Sequence, residues 1–345
     1  MPLPPRPKRL GNYDVVAKIG GGGMATIYLG RARDHVAALK VLRHEVATSA
    51  NIVHMFDDEA RILSLLSHDN ITRTFQYGEE AGQHYIAMEL LLGRTLVDVW
   101  EACVARKLSL RLDLSAWIAA RVADGLAHAH ALADERGKSL QVIHRDVNPS
   151  NIFLTYDGQV KLFDFGLAKS LGRRAESSAG IVKGKLPYLS PEQIMQLGID
   201  HRSDVFMLGT TLWEMTTMRR LFKRDDDVET VKAVRGGVIP DPRRIVPGYP
   251  PELFRIVDKA LQRNRENRYQ DAGTFARDLD AFVRSTTTDD LTQLLAPILE
   301  SLFPGDRARQ MGWLRSTTAS TRGAAGPTLP PPAPLPSTKD VDDEK

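Results

Sequence analysis

In the stretch "VIHRDVNPSN", residues 142–151, an Asp at 146 and an Asn at 151 share one short polar segment, and a second carboxylate, Asp164, follows in "LFDFG". Asp and Asn supply hard oxygens, the ligand type that Mg2+ prefers, and Mg2+ usually keeps some of its waters and bridges substrate phosphates. A further Asp can accept a proton from an attacking hydroxyl and orient it. Phosphoryl transfer asks for little beyond positioning and electrostatic stabilisation. Pro149 restricts the backbone between Asp146 and Asn151.

A phosphate-directed site also needs groups that hold phosphates. "IGGGGMATIYLG" places Gly20 and Gly22 at the first two positions of GxGxxG, with Ala25 at the third. Glycines let backbone amides approach phosphates without an intervening Cβ. Alone this pattern is ambiguous with a plain hairpin. A P-loop is excluded because no GK[ST] follows, and a dinucleotide fold because a β-like run, not a helix, comes next. Lys40, in "AALK", stands among apolar residues of a third expected strand. In the helical stretch that follows, about 52–66, Phe56, Leu63 and Leu66 share a face, and Glu59 falls on it. A carboxylate on an apolar face calls for a partner, and Lys40 is the candidate.

The elements that must position these groups divide the chain. "YDVVAKIG", "ATIYLGRA" and "HVAALKVL" read as strands, as do "ITRTFQYGEE" and "QHYIAMELL" around a Gly-containing turn. After Gly93 apolar residues recur at helical spacing, short strands return near 152–154 and 160–162, and helices dominate to about Arg284. With 345 residues, 42% of them apolar, two packed lobes are expected. The formal charge of +3 gives no footprint for nucleic acid. A single cysteine, Cys103, excludes an internal disulfide. No apolar run reaches the length of a membrane span, and the basic start lacks a signal-peptide core, so a cytoplasmic location is expected.

Taken in order, the glycine loop, Lys40, Glu59, HRDxxxxN, DFG, "SPE" and a late Arg resemble the protein kinases, most closely the eukaryotic-like serine/threonine kinases of bacteria, over roughly Tyr13 to Val283. The resemblance implies an α+β, bilobal protein-kinase fold: a β-rich N-lobe over 12–92 and a larger α-helical C-lobe over 93–284, preceded by a basic arm (1–11) and followed by a helical extension (285–315) and a disordered Pro-rich tail (316–345). It implies ATP and Mg2+ as cofactors. Lys40 would contact phosphates and pair with Glu59, Asp146 would act as base or orienter for the substrate hydroxyl, and Asn151 and Asp164 would bind Mg2+. Gly20, Gly21, Gly22, Gly23 and Ala25 match the phosphate loop. Ile19, Ile27, Ala38 and Phe153 match the adenine walls, Met88 the gatekeeper, and Glu89 and Leu91 the hinge. Glu192 would pair with Arg268, and Asp204 and Gly209 match the helix that braces the catalytic loop.

Three positions depart from the family pattern. Ala25 replaces a Gly. Asn148 replaces the usual catalytic-loop Lys. Lys185 stands where these kinases carry Thr. Lys185 is expected to return the ammonium missing at Asn148; the alternative is a solvated Lys or one that reads acidic substrates. Ser177 and Ser178 match activating phosphosites, reached in trans within a transient homodimer. Protein substrates in bacterial signalling are the expected targets; the competing function is a pseudokinase serving as a nucleotide-binding interaction module. The C-terminal extension and tail stand as a docking segment, with PxxP for an SH3-like groove, or as a passive solvated tail.

Overall fold

The computed structural model describes residues 7–165 and 185–319. The chain forms two compact units, one of residues up to 65, 73–92 and from 300 onward, the other of 66–72 and 93–299.

The first unit is built on an antiparallel sheet of β1 (Arg9–Leu10), β2 (Tyr13–Gly21), β3 (Ala25–Arg31), β4 (Val36–Leu42), β5 (Thr74–Glu80) and β6 (Gln83–Glu89), in the order β1-β2-β3-β4-β6-β5. Strand β4 shows why it forms. Successive side chains of a strand point to opposite faces. Ala37, Leu39 and Val41 therefore join Leu10, Tyr13, Val15, Tyr85 and Ala87 in one apolar cluster. Leu42 joins Ile86 on the other face, against Phe56 and Ala60 of helix α1 (Ala50–Leu65), with Met88 packed beside them. Residues 9 and 10, expected within a flexible arm, pair with Asp14 and Tyr13. The turn between β1 and β2 needs Gly11: its φ is 54°, and a Cβ there would fall 2.0 Å from the Tyr85 hydroxyl.

The second unit holds a small sheet, β7 (Gly93–Thr95), β8 (Ile152–Thr155) and β9 (Val160–Leu162), and most of the helices. Helix α2 (Leu96–Ala105) opens with a capping box in which Thr95 and Asp98 exchange hydrogen bonds. Helix α3 (Leu112–His130) packs against α5 (Arg202–Thr217) and α8 (Ala272–Thr286). Helices α4 (Pro191–Ile194), α6 (Asp227–Gly236) and α7 (Pro251–Ala260) complete the kinase-like part of this unit. Every residue of α5 from Ser203 to Thr217 is buried, so its carboxylates must be paired. Gly209 lets α5 approach α7, since a Cβ would meet that of Ala260 at 3.0 Å.

The C-terminal extension comprises α9 (Leu291–Leu302) and α10 (Asp306–Ala319). Leu291, Leu295, Leu299 and Leu302 are buried, the stripe an amphipathic helix needs. Arg111 at the start of α3 reaches both Asp113 (2.5 Å) and Asp289 (2.8 Å). Gly158, at φ 85°, meets the same segment, because a Cβ there would lie 2.3 Å from the Thr292 carbonyl oxygen. Helix α10 runs past residue 316, where composition alone places the start of the tail. Residues 320–345 lie outside the described residues.

Glu192 in α4 and Arg268 form a bidentate pair, Nη1 to Oε1 at 2.7 Å and Nη2 to Oε2 at 2.8 Å. Arg268 also donates to the carbonyls of Gln262, Arg202 and Arg263, and Ser203 donates to Glu192 at 2.6 Å. Burial pushes the Glu192 carboxyl up, and the Arg268 guanidinium with the Ser203 hydroxyl outweighs it, holding the group below the usual carboxylate range. Arg268→Ala strands this carboxylate in the interior. The variant is expected to lose roughly 3–5 kcal/mol of stability, read as a lowered urea midpoint at unchanged slope.

Candidate active site

The segment 142–151 is fixed from below by Asp204 of α5. Its Oδ2 accepts the backbone N–H of His144 (2.8 Å) and the His130 Nε2 (2.8 Å), and its Oδ1 accepts the N–H of Arg145 (2.8 Å). Burial of this 0%-exposed carboxyl acts to raise it; His130 leads the groups that outweigh burial and hold it ionised, below its ordinary value. The clamp matters because Arg145 has φ 64°, a left-handed conformation that a non-Gly residue adopts only under constraint. Gln193 of α4 donates to the Arg145 carbonyl at 3.0 Å. Fully buried His144 is pushed down by desolvation, so its ring is neutral. Its partners set the tautomer: Nε2 donates to the Phe163 carbonyl (3.2 Å), and Nδ1 accepts the Asp146 N–H (3.3 Å).

These contacts deliver Asp146, 3% exposed, with its carboxylate surrounded by donors. Asn151 Nδ2 lies 3.0 Å from Oδ2, Asn148 Nδ2 lies 3.1 Å from Oδ1, and both amides also bond the Asp146 carbonyl at 2.8 Å. Lys185 Nζ stands 2.5 Å from Oδ2. The ammonium of Lys185 is thus at the catalytic-loop Asp. Asn148 is turned inward: it is 3% exposed, and its Oδ1 accepts the Ser150 N–H at 2.9 Å, capping the short 3-10 turn Pro149–Asn151.

Asn151 spends its amide nitrogen on Asp146, which leaves its side-chain oxygen as the group a hard cation can use. The Phe163 N–H bonds the Asn151 carbonyl at 3.1 Å, tying the segment before Asp164 to the loop. Asp164 itself sits at φ 61°, and Phe165 is buried with its ring 4.4 Å from that of His144. The donor set of Asn151 and Asp164, both oxygen ligands, fits Mg2+.

In the first unit, Lys40 Nζ is 2.9 Å from Glu59 Oε1, with side-chain exposures of 15% and 6%. Lys40 pairs with Ile27 and Ile86, and Ala38 with Leu29 and Met88; cross-strand partners share a face, so Ala38, Lys40, Ile27 and Met88 lie together. Ile19 occupies a bulge between Lys18 and Gly20. Gly21, at φ 154°, lies where a Cβ would come 3.1 Å from the Ala25 carbonyl oxygen, whereas Gly22 and Gly23 face open space. The Gly22 N–H closes the turn onto the Ala25 carbonyl at 2.8 Å. The Glu89 N–H is taken by the Arg73 carbonyl at 2.9 Å. Leu91 follows β6, and Phe153 lies on β8 in the second unit. Ser177 and Ser178 lie outside the described residues.

Sequence reasoning brought Lys40 to Glu59 and Lys185 to the catalytic loop. It missed the inward cap made by Asn148, although the dipeptide Asn-Pro carries that signal. It also missed His130 and Gln193, which reach the loop from distant segments with no local pattern to mark them.

The chain belongs to the protein kinase family: the model of the protein kinase domain matches residues 13–278. Within it, the chain falls among the eukaryotic-like kinases of bacteria. It is 35% identical to a tyrosine-protein kinase, MasK of Myxococcus xanthus, over 91% of this chain and 50% of that protein. It is 31% identical to the serine/threonine-protein kinase PrkC of Bacillus subtilis over 78% of this chain and 40% of that one. The same identity and share of this chain relate it to the serine/threonine-protein kinase PknL of Mycobacterium tuberculosis, of which 65% is covered. The chain therefore spans half or less of the length of MasK and PrkC. The fold is that of the kinase domain of PknI from Mycobacterium tuberculosis, with a TM-score of 0.59 at 24% identity, covering 79% of this chain and 97% of that one. Among the described residues no helix is long and apolar enough to cross a membrane.

The neutral His144 has a pH consequence. The unfolded chain takes up a proton at His144 as pH falls through about 6.5, while the folded chain, its imidazole held lower by burial, takes it up only at lower pH. The unfolded state then binds more protons, so stability falls as pH drops below about 6.5 and is full above it. Urea midpoints at pH 7.5 and 5.5 are expected to fall further for the wild type than for His144→Asn.

Proposed function

We propose that this chain is an ATP- and Mg2+-dependent protein kinase that transfers the γ-phosphoryl group to Ser or Thr hydroxyls of protein substrates. The observation that carries the proposal is the Asp146 carboxylate, fixed by Asn148 and Asn151 and met by Lys185. When bound, ATP with Mg2+ supplies the transferable group. Asp146 orients the acceptor hydroxyl and takes its proton as the new O–P bond forms and the bond from the γ-phosphorus to the bridging oxygen breaks, releasing ADP. Asn151 and Asp164 hold Mg2+ through their oxygens. Lys40, kept in place by Glu59, neutralises phosphate charge, and Gly20, Gly21, Gly22 and Gly23 allow the backbone to approach it. Ile19, Ile27, Ala38 and Met88 offer an apolar surface for the base, the role that the family pattern also gives Phe153, and the backbone of Glu89 and Leu91 offers it hydrogen bonds.

Lys185 acts as the catalytic-loop cation in place of a Lys at 148. A fixed donor at developing charge is worth about 10²–10³ in rate. The presence of Lys40, Glu59, Asp146, Asn151 and Asp164 supports catalysis over a pseudokinase role. Autophosphorylation at Ser177 or Ser178, in trans between two copies, is the regulatory part of the proposal. The kinship with a protein named as a tyrosine kinase makes the acceptor a point for direct test.

With labelled ATP and Mg2+, the purified chain is expected to phosphorylate itself and a generic protein substrate, and Asp146→Asn to lose about 10²–10⁴ of that rate. Acid hydrolysis of the product is expected to yield phosphoserine or phosphothreonine. Phosphotyrosine alone would overturn the acceptor assignment, and equal incorporation by wild type and Asp146→Asn would overturn the kinase. Lys185→Ala is expected to lose most activity, and Asn148→Lys combined with Lys185→Thr to retain more of it than Lys185→Ala. A Lys185→Ala chain as fast as wild type sinks the role given to that residue.

A further inference from the structure

The first unit carries a second concave surface, on the sheet face turned away from Lys40. It is a cavity of about 480 Å³ lined by Asn12, Tyr13, His35, Arg73, Phe75 and Gln76. Its aromatic rings form a chain: Tyr13 and His35 meet edge-on at 5.5 Å, and His35 and Phe75 at 5.1 Å. The Tyr13 hydroxyl and His35 Nε2, 3.0 Å apart, lock two of these rings together. Phe75 is 40% exposed, a large ring standing open on the edge strand β5. The Arg73 guanidinium lies 5.8 Å over the Phe75 ring, and the residue is exposed at the mouth.

A shallow groove of pre-packed rings with a cation at its end suits an extended Pro-rich segment. Such a segment loses little entropy on binding and lays its rings on aromatic faces. We propose that the groove takes the chain's own Pro-rich stretch, "LPPPAPLP" at 329–336, with the acidic run that follows it pairing with Arg73. Charge selects this segment. After Pro336 come Ser337, Thr338 and Lys339, and then Asp340, Asp342, Asp343 and Glu344 before Lys345, so the stretch beyond the prolines is acidic on balance. The other Pro-rich stretch, "PLPPRP" at 2–7, instead leads through Arg6 into Lys8 and Arg9 and would set cations against Arg73. Length permits it as well. Helix α10, which ends at Ala319, belongs to the same unit as the groove. The chain from there to Pro330 spans up to about 36 Å when extended, against a radius of gyration of about 13 Å for a unit of this size. The contact is independent of phosphoryl transfer.

The test uses the full chain with Pro330→Ser, Pro331→Ser, Pro332→Ser and Pro334→Ser combined. Hydrogen exchange of the backbone amides over 73–77 is expected to quicken at least threefold relative to wild type. A synthetic peptide of residues 327–345 is expected to bind this variant one to one, and wild type at least tenfold more weakly because its own tail fills the groove. Adding Phe75→Ala abolishes peptide binding, and adding Arg73→Glu weakens it at least tenfold at low salt. Unchanged exchange together with no peptide binding overturns the proposal. So does protection of 73–77 that persists in the four-proline variant and rises with protein concentration alongside a dimer mass in light scattering, because a second copy then covers the groove.

Discussion

The buried carboxylate of Asp204 is the constraint on which the candidate active site rests. A carboxylate with no exposure would be costly unless every acceptor position is used, and Asp204 uses its own on two consecutive backbone amides and one imidazole. Those two amides belong to His144 and Arg145, so satisfying the buried charge and fixing the loop are one event. The left-handed Arg145 turns the chain so that the next residue, Asp146, presents its carboxylate to Asn148, Asn151 and Lys185. His144 works in the same direction from inside the fold, because a neutral ring has one donor and one acceptor and spends both on the loop and on Phe163. Helix α5 is buried from Ser203 to Thr217 by its apolar side chains, and its carboxylate is tolerated there because it is paired.

Lys40 and Lys185 follow a related logic with different burial. Lys40 lies within β4, where alternation forces it onto the face covered by α1, and Glu59 answers it from that helix. The pair has little solvent on either side, with side-chain exposures of 15% and 6%. Lys185 keeps a quarter of its side chain in solvent while its partner Asp146 is nearly enclosed. An ammonium at the rim is partly screened by water, so its pairing with Asp146 is weaker than a fully buried ion pair would be.

Much of this was legible in the sequence where the signal is local. The alternation of "HVAALKVL" gives both the strand and the face of Lys40, and helical spacing gives the face of Glu59, so their meeting follows from two short patterns. The oxygen donors of Asn151 and Asp164 raise the expectation of a hard cation from residue type alone. The missing information is long-range or depends on side-chain direction. Nothing near Arg111 announces Asp289, and nothing near Arg145 announces Gln193. Residues 66–72, which composition leaves with the β-rich lobe, fold with the second unit because Thr72 and Asn70 bond Leu162 and Val160 there. The pattern of the catalytic loop shows that residue 148 departs from the family, but only the fold shows that its side chain points inward.

That inward direction explains why positions 148 and 185 act together. Asn148 is both donor and acceptor: its nitrogen holds Asp146 and its oxygen caps the Ser150 amide. A lysine has donors only, so it cannot make the cap, and its longer stem cannot remain in a pocket that leaves Asn 3% exposed. A lysine at 148 must therefore leave the loop interior and compete for the space beside Asp146 that Lys185 already fills, placing two ammonium groups against one carboxylate. Conversely, a Thr at 185 beside Asn148 leaves the carboxylate with amide donors but no cation. Asn148→Lys loses the cap and sets two ammonium groups together, Lys185→Thr removes the charge of Lys185, and the paired exchange keeps one lysine beside Asp146 while still losing the cap. The Asn therefore contributes the cap of the loop and the Lys its charge, and a lysine at 148 could supply only the second.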